Sequence, residues 1–106
     1  VALAATLRAQ ATANTCILVD CLTLWLTNVL LAGDAVFERE RAALLASLPS
    51  LPGDLLLVSN EVGMGIVAAD PLSRRFVDEA GRLHQALAQA CDRVTLVAAG
   101  LPLILK

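Results

Sequence analysis

The stretch from Leu55 to Val67, LLLVSNEVGMGIV, constrains this chain more than any other. Its first four residues offer no polar face at the two-residue period of a strand. That pattern belongs to a strand buried on both faces, as in a parallel sheet sandwiched between helices. The run then stops at Ser59, Asn60 and Glu61, followed by Gly63 and Gly65. An amide and a carboxylate are costly to bury unpaired. Residues just past the carboxyl end of a parallel strand face the crevice where open α/β sheets bind ligands. The two glycines allow close backbone approach to a ligand, or positive φ.

A second run, Cys16-Ile17-Leu18-Val19, ends on Asp20. This has the form of a Walker B strand, which delivers a carboxylate beside the phosphates and magnesium of a nucleotide. Asp20 has two readings: a structural cap for the helix that follows, or a contact to nucleotide or magnesium. Glu61 divides in the same way.

Helical patterns fill the remainder. Ala2–Thr12 places Leu3, Leu7 and Ala11 on one face, and Asn14-Thr15 breaks it. Leu22–Ala32 carries Leu22, Trp25, Leu26, Val29 and Leu30 as a stripe, with Leu24 and Leu31 outside it. A helix apolar nearly all round needs more than one neighbour. Gly33 ends it, and Asp34 can cap a third helix with Phe37, Leu44, Leu45 and Leu48 as its core face. Glu38, Arg39, Glu40 and Arg41 form its solvated side. Pro49–Gly53 is a turn. Asp70-Pro71 starts a further helix by an N-cap followed by Pro at the first helical position. Its core stripe is Leu72, Phe76, Ala80, Leu83 and Leu87, and Gly81 within it implies close packing. Val94–Ala98 is a third strand. Gly100-Leu101-Pro102 turns the chain into a short edge strand, Leu103–Leu105.

Strands separated by helices imply an α/β fold with a mostly parallel sheet, flanking helices and right-handed crossovers. At 106 residues the chain is expected to form one domain. Apolar residues make up 58% of it, against the roughly 45–50% usual in soluble domains. The excess points to a sheet covered on both faces, an oligomer interface, or a piece of something larger. Val1 in place of Met reads as a processed chain or a fragment. The apolar stretch Cys16–Ala32 is interrupted by Asp20, Thr23, Thr27 and Asn28, so no membrane span is expected. A net charge of −2 without a basic stripe argues against a nucleic-acid partner. Cys16, Cys21 and Cys91 are expected as small buried thiols in a reducing cytoplasm.

Gly63-Met64-Gly65-Ile66-Val67-Ala68 matches the G-x-G-x-x-G/A dinucleotide fingerprint in form only. The helix begins too late, and no acid ends a strand some twenty residues on. A catalytic zinc centre would need clustered His or Cys, and His84 is the one histidine. In mid-helix it reads as a solvated or locally bonded residue. No G-x-x-x-x-G-K-[ST] phosphate loop occurs.

Ile17-Leu18-Val19-Asp20-Cys21-Leu22-Thr23-Leu24-Trp25-Leu26-Thr27-Asn28 resembles the strand–helix segment of the bifunctional adenosylcobinamide kinase / adenosylcobinamide-phosphate guanylyltransferases. Val58 to Val67 is similar to that family's most distinctive motif. Phe76, Asp78, Ala80-Gly81-Arg82 and Gln85 match its next helix, and Gly100 and Lys106 its C-terminal end. Ala68 stands where the family often has Pro.

The resemblance implies a P-loop-type α/β fold, a trimer, and two reactions in coenzyme B12 nucleotide-loop assembly. One phosphorylates the adenosylcobinamide hydroxyl from GTP or ATP. The other transfers GMP from GTP to adenosylcobinamide phosphate through a guanylylated histidine. The family's phosphate loop and that histidine precede the Walker-B-like strand and are not among these residues. His84 falls where the family often has Asn. Residues 1–106 therefore read as the C-terminal part of a P-loop-type domain, inactive by itself. By the resemblance, Asp20 carries over onto the acid that contacts GTP, with magnesium as a possible mediator. Asn60, Glu61, Gly63 and Gly65 are candidate nucleotide-site residues, and Asn60 and Glu61 are also candidates for a catalytic role. Two rival readings are a nicotinamide-binding half-domain and a non-catalytic subunit completed by a partner.

Overall fold

The computed structural model describes residues 1–66 and 69–106, so the expectations for Val67 and Ala68 lie outside the described residues. The elements are α1 (Leu3–Gln10), β1 (Cys16–Asp20), α2 (Leu22–Leu31), α3 (Asp34–Ser47), a 3-10 turn (Leu48–Ser50), β2 (Asp54–Val58), α4 (Pro71–Ala90), β3 (Thr95–Ala98) and β4 (Leu101–Ile104).

β1 and β2 pair in parallel, with Cys16 opposite Asp54 and Asp20 opposite Val58. The crossover between them runs through α2 and α3, the length a parallel connection requires. Side chains alternate across this sheet. Ile17, Val19, Leu55 and Leu57 pack against the core, whereas Leu18 and Leu56 are 61% and 55% exposed. The expectation of a sheet buried on both faces is thus corrected. The helices that contribute to the core do so on one face, and among the described residues nothing covers the other. The Cα envelope is only 19 Å along its shortest axis, which fits one sheet and one helix layer rather than three layers.

α2 is the centre of the core. Leu22, Trp25, Leu26, Val29 and Leu30 are buried as their spacing requires, and α3 and α4 pack beside them. Leu24 and Leu31 face solvent at 61% and 67% exposure. The core is completed by Leu7 from α1, Phe37 and Leu44 from α3, and Ala80, Leu83 and Leu87 from α4. Leu72 does not join the α4 stripe. It is 55% exposed, on the rim of a surface groove with Leu31 and Phe76.

Polar ties fix the helices to one another. Arg8 donates to Ser47 at 2.6 Å, joining α1 to α3. Arg75 of α4 pairs with Asp34 at 2.7 Å and stacks 5.7 Å above the Phe37 ring. Asp34 therefore serves as an interhelical partner rather than as the cap expected from its position. Gly33 is the N-cap of α3, and no side chain caps that helix. Asp70 does cap α4, accepting from the Ser73 amide at 2.9 Å. That amide hydrogen bond holds its carboxyl below the usual range. The cap's contribution is present while Asp70 is ionised and fades as pH falls through the lowered value.

The largest departure is at the C-terminal end. β3 and β4 form a separate antiparallel hairpin instead of extending the parallel sheet. Ala99 and Gly100 both have positive φ, 53° and 75°. Two such residues make the tight turn whose twist suits a two-residue hairpin. The reversal falls one residue earlier than expected, so Leu101 and Pro102 already belong to the strand. Lys106 locks the hairpin to α4. Its Nζ donates to the carbonyls of Ala88, Gln89 and Cys91 at 2.8, 3.2 and 2.7 Å. A cation at the carbonyl end of a helix also suits the helix dipole.

Two glycines respond oppositely to substitution. Gly53 has φ +77°, and a Cβ there would collide with the Thr12 carbonyl and lie 2.5 Å from that of Thr15. Gly81 has open space around it, so packing does not explain its place in mid-helix. In urea unfolding, Gly53→Ala should lower stability by at least about 1–3 kcal/mol. Gly81→Ala should raise it by up to about 1 kcal/mol.

Candidate functional site

In-register parallel pairing brings the carboxyl ends of β1 and β2 to one edge of the sheet. Asp20 is the last residue of β1. Ser59, Asn60 and Glu61 leave β2 directly after Val58, the residue paired with Asp20. The N-terminus of α2 lies on the same edge, since only Cys21 separates it from β1. Asp20 is exposed and does not cap α2, which has Cys21 at its N-cap position and no side-chain cap. The structural reading of Asp20 as a cap therefore falls away.

Thr23 links the two strand ends. It is 8% exposed, and its hydroxyl accepts from Asn60 Nδ2 at 3.3 Å and lies 3.1 Å from the Cys21 sulfur. Ser59, the neighbour of Asn60, bonds in another direction: its Oγ lies 2.6 Å from His84 Nε2 on α4. Glu61 folds back on its own loop and accepts from the Gly63 amide at 2.6 Å. Its carboxylate is exposed, and its one described bond is to this turn.

Gly63 and Gly65 do not take positive φ, so one of the two reasons considered for them is removed. They lie instead along a surface groove of about 210 Å³ with Val62, Ile66, Arg74 and Asp78. A wider apolar groove of about 370 Å³ adjoins it between α2 and the start of α4, lined by Leu30, Leu31, Leu72 and Phe76 among others. Asp20, Asn60 and Glu61 line neither groove. The structure thus gathers Asp20 and Asn60 at one edge, with Gly63 and Gly65 further along the loop.

The cysteines differ from expectation. None is buried: Cys16 is exposed, and Cys21 and Cys91 are half-buried thiols. The hydrogen bond from Thr23, aided by the Leu24 amide, lowers the pKa of Cys21, whereas burial raises that of Cys91. His84 is half-buried and is not bonded within its own helix, since its partner Ser59 belongs to the loop after β2. Thr23, Ser59 and His84 join this edge although the sequence reading assigned none of them a role there. Their only trace in the sequence is a polar residue beside an apolar run. Among the described residues, no group of three or more His, Cys, Asp or Glu could hold a metal ion. No described helix is long and apolar enough to cross a membrane.

The sequence model of one protein family, cobinamide kinase / cobinamide phosphate guanyltransferase, matches residues 1–105. The chain belongs to this family. It is 61% identical over 106 residues to the bifunctional adenosylcobalamin biosynthesis protein CobP of Pseudomonas aeruginosa, covering 99% of this chain and 61% of the relative. It is 41% identical to CobU of Salmonella typhimurium over 85% of this chain and 58% of the relative. For CobU of Escherichia coli the identity is 36%, over 88% of this chain and 59% of the relative. The chain therefore spans about three-fifths of the length of the curated relatives it matches.

The cysteine environments carry a measurable consequence. In a pH series of iodoacetamide alkylation followed by peptide mass spectrometry, Cys21 should reach half-maximal rate at lower pH than Cys91. Thr23→Val should move the Cys21 midpoint upward and leave that of Cys91 in place. Equal midpoints for the two thiols would contradict the described bonding.

Proposed function

We propose that this chain supplies the Walker-B edge and the asparagine–glutamate loop of a bifunctional enzyme of coenzyme B12 assembly. That enzyme phosphorylates the adenosylcobinamide hydroxyl from GTP or ATP, and transfers GMP from GTP to adenosylcobinamide phosphate with release of pyrophosphate. The observation that carries the reading is the exposed Asp20 carboxylate, uncommitted to any helix cap, at the edge where both parallel strands end. Membership of the cobinamide kinase family supports it, as do relatives named for adenosylcobalamin biosynthesis. Residues 1–106 would then be the C-terminal part of one P-loop-like domain. These reactions draw on cytoplasmic nucleotide pools, which fits a cytoplasmic enzyme.

Asp20 is the residue assigned to the nucleotide. Magnesium suits it in one respect: this ion commonly takes one or two protein carboxylates and completes its shell with phosphates and water. A lone exposed acid could hold it only together with a nucleotide, because no further acids cluster nearby among the described residues. When bound, magnesium would neutralise phosphate charge. Asp20 orients it or meets the nucleotide directly. Asn60, fixed by Thr23, would offer its remaining amide atoms to the same ligand. Gly65 has ordinary φ and nothing within 4 Å of where a Cβ would stand. Its lack of a side chain is then accounted for by a ligand lying against the loop. Glu61 holds that loop in its turn.

The nicotinamide reading is disfavoured on physical grounds. A dinucleotide fingerprint needs the pyrophosphate at a free helix N-terminus. Here α4 starts well after β2, and its N-terminus already holds the Asp70 carboxylate.

The apolar surface supports assembly with further copies, as a trimer. Leaving Leu18, Leu24, Leu31 and Leu56 wet forgoes about 1.5–3 kcal/mol for each, and all four are more than half exposed. Sedimentation equilibrium of the full-length protein should show an oligomer. A monomer at micromolar concentration would remove this part of the reading.

Asp20→Asn in the full-length protein should leave the circular dichroism spectrum unchanged and lower kcat/KM for GTP by about tenfold or more. Parental rates and GTP affinity in that variant would show that Asp20 plays no part in nucleotide use. The 106 residues alone contain no phosphate loop, so labelled GTP should leave no acid-labile label on them, including on His84.

A further inference from the structure

Twelve residues, 59 to 70, connect β2 to α4; Val62 packs against the core, and among those described only two side chains make hydrogen bonds to distant parts of the fold. These are the first two of the loop. Ser59 bonds to His84 of α4 at 2.6 Å, and Asn60 bonds to Thr23 of α2 at 3.3 Å. The other described side-chain bonds of the loop, Glu61 to Gly63 and Asp70 to Ser73, are local and shape a turn and a cap without placing either in the molecule. Consecutive side chains on extended backbone point in opposite directions. The two anchors accordingly run to different helices and fix the chain in rotation as well as in position.

We propose that Ser59 and His84 are a positioning pair for the Asn60–Glu61 turn, so that His84 acts on nucleotide binding through Ser59 and never touches the nucleotide. The idea rests on the nucleotide reading given above. Ser59 is the residue next to Asn60, so a rotation at Ser59 carries the Asn60 amide away from Thr23 and from the edge beside Asp20. Both members of the pair are half-buried, which protects their bond from competition by water. Either neutral tautomer of His84 can make it: Nε2 accepts the Ser59 hydroxyl proton in one and donates to Oγ in the other. A serine bonded to a histidine is also the beginning of a nucleophile and its base. That assignment needs a third group to orient the imidazole, and Nδ1 of His84 enters none of the described hydrogen bonds. A holding role requires only the one bond.

The test uses the full-length protein and the variants Ser59→Ala, His84→Leu, His84→Gln and the double Ser59→Ala/His84→Leu. A glutamine amide nitrogen reaches about where Nε2 of histidine lies, so His84→Gln can keep the bond without an imidazole. Two readouts are taken: the backbone amide NMR shifts of Asn60, Glu61 and Gly63, and the GTP dissociation constant by calorimetry. Ser59→Ala and His84→Leu should each move those amide signals and weaken GTP about 3- to 10-fold, the range of one intramolecular hydrogen bond. The double variant should be no weaker than either single, because both remove one bond. His84→Gln should return both readouts toward the parent. A fall in thermal midpoint with unmoved amide signals and unchanged GTP affinity would overturn the proposal, as would additive losses in the double variant. If His84→Leu does not fold, Ser59→Ala and His84→Gln decide. If the parent binds no GTP, the nucleotide reading fails, and the amide shifts alone determine whether the pair holds the turn.

Discussion

The parallel, in-register pairing of β1 with β2 governs the rest of this structure. It brings Asp20 level with Val58 and so assembles a polar edge from two stretches of chain far apart in sequence. The pairing is enforced where it starts. Gly53, with φ +77°, allows the backbone to pass against the carbonyls of Thr12 and Thr15, and the Asp54 amide then donates to Thr15 at 3.0 Å. A slip of β2 by one residue against β1 would turn Leu55 and Leu57 out of the core and bring Leu56 in. The register therefore sets both what is buried and which polar groups meet at the edge.

Helix α2 follows from the same constraint. It begins one residue after β1, so its N-terminus cannot lie anywhere but at the polar edge. Its apolar stripe then runs back under the sheet, where Val29 is fully buried. Thr23 sits buried in the first turn of this helix, with its hydroxyl available to Asn60. A core helix thereby fixes a polar group with little freedom. The site's rigidity is borrowed from the hydrophobic core rather than from contacts among the polar residues themselves.

What could be read from the sequence was governed by the range of the interaction responsible. β1, the stripe of α2 and the Asp70 cap depend on neighbours within a few residues, and each stands where its pattern places it. The β3–β4 hairpin depends on Ala99 taking positive φ, a conformation that alanine rarely adopts and that the sequence does not announce. Leu72 has helical spacing with Phe76, yet its burial depends on what α2 places opposite it, and there an open groove lies. Asp34 looked like a cap because it follows a glycine, but Arg75, some forty residues on, competes for its carboxylate. At the site, Asp20 and Asn60 were legible as polar ends of apolar runs. The Ser59–His84 bond was not, because nothing in a mid-helix histidine reveals which loop will pass it.

The remaining local inconsistencies point outward. Natural sequences usually agree with their folds at every level, and exceptions gather at sites of function or contact. Leu18, Leu24, Leu31 and Leu56 are large apolar residues left more than half exposed by the described residues. Gly65 gives up a side chain in open space without using positive φ. Asp20 keeps a charge at the sheet edge without capping the helix beside it. None of these is explained by the internal packing of the chain. The proposed function gives each a reason: apolar surface of further copies for the leucines, and for the aspartate and the glycine a ligand that meets a carboxylate or lies against bare backbone. Under the proposed function these are two different requirements on different faces: the sheet and α2 surfaces would serve assembly, and the carboxyl ends of the strands would serve chemistry. Substitutions of the leucines should then alter association before they alter the site, because the core that carries Thr23 lies between the two.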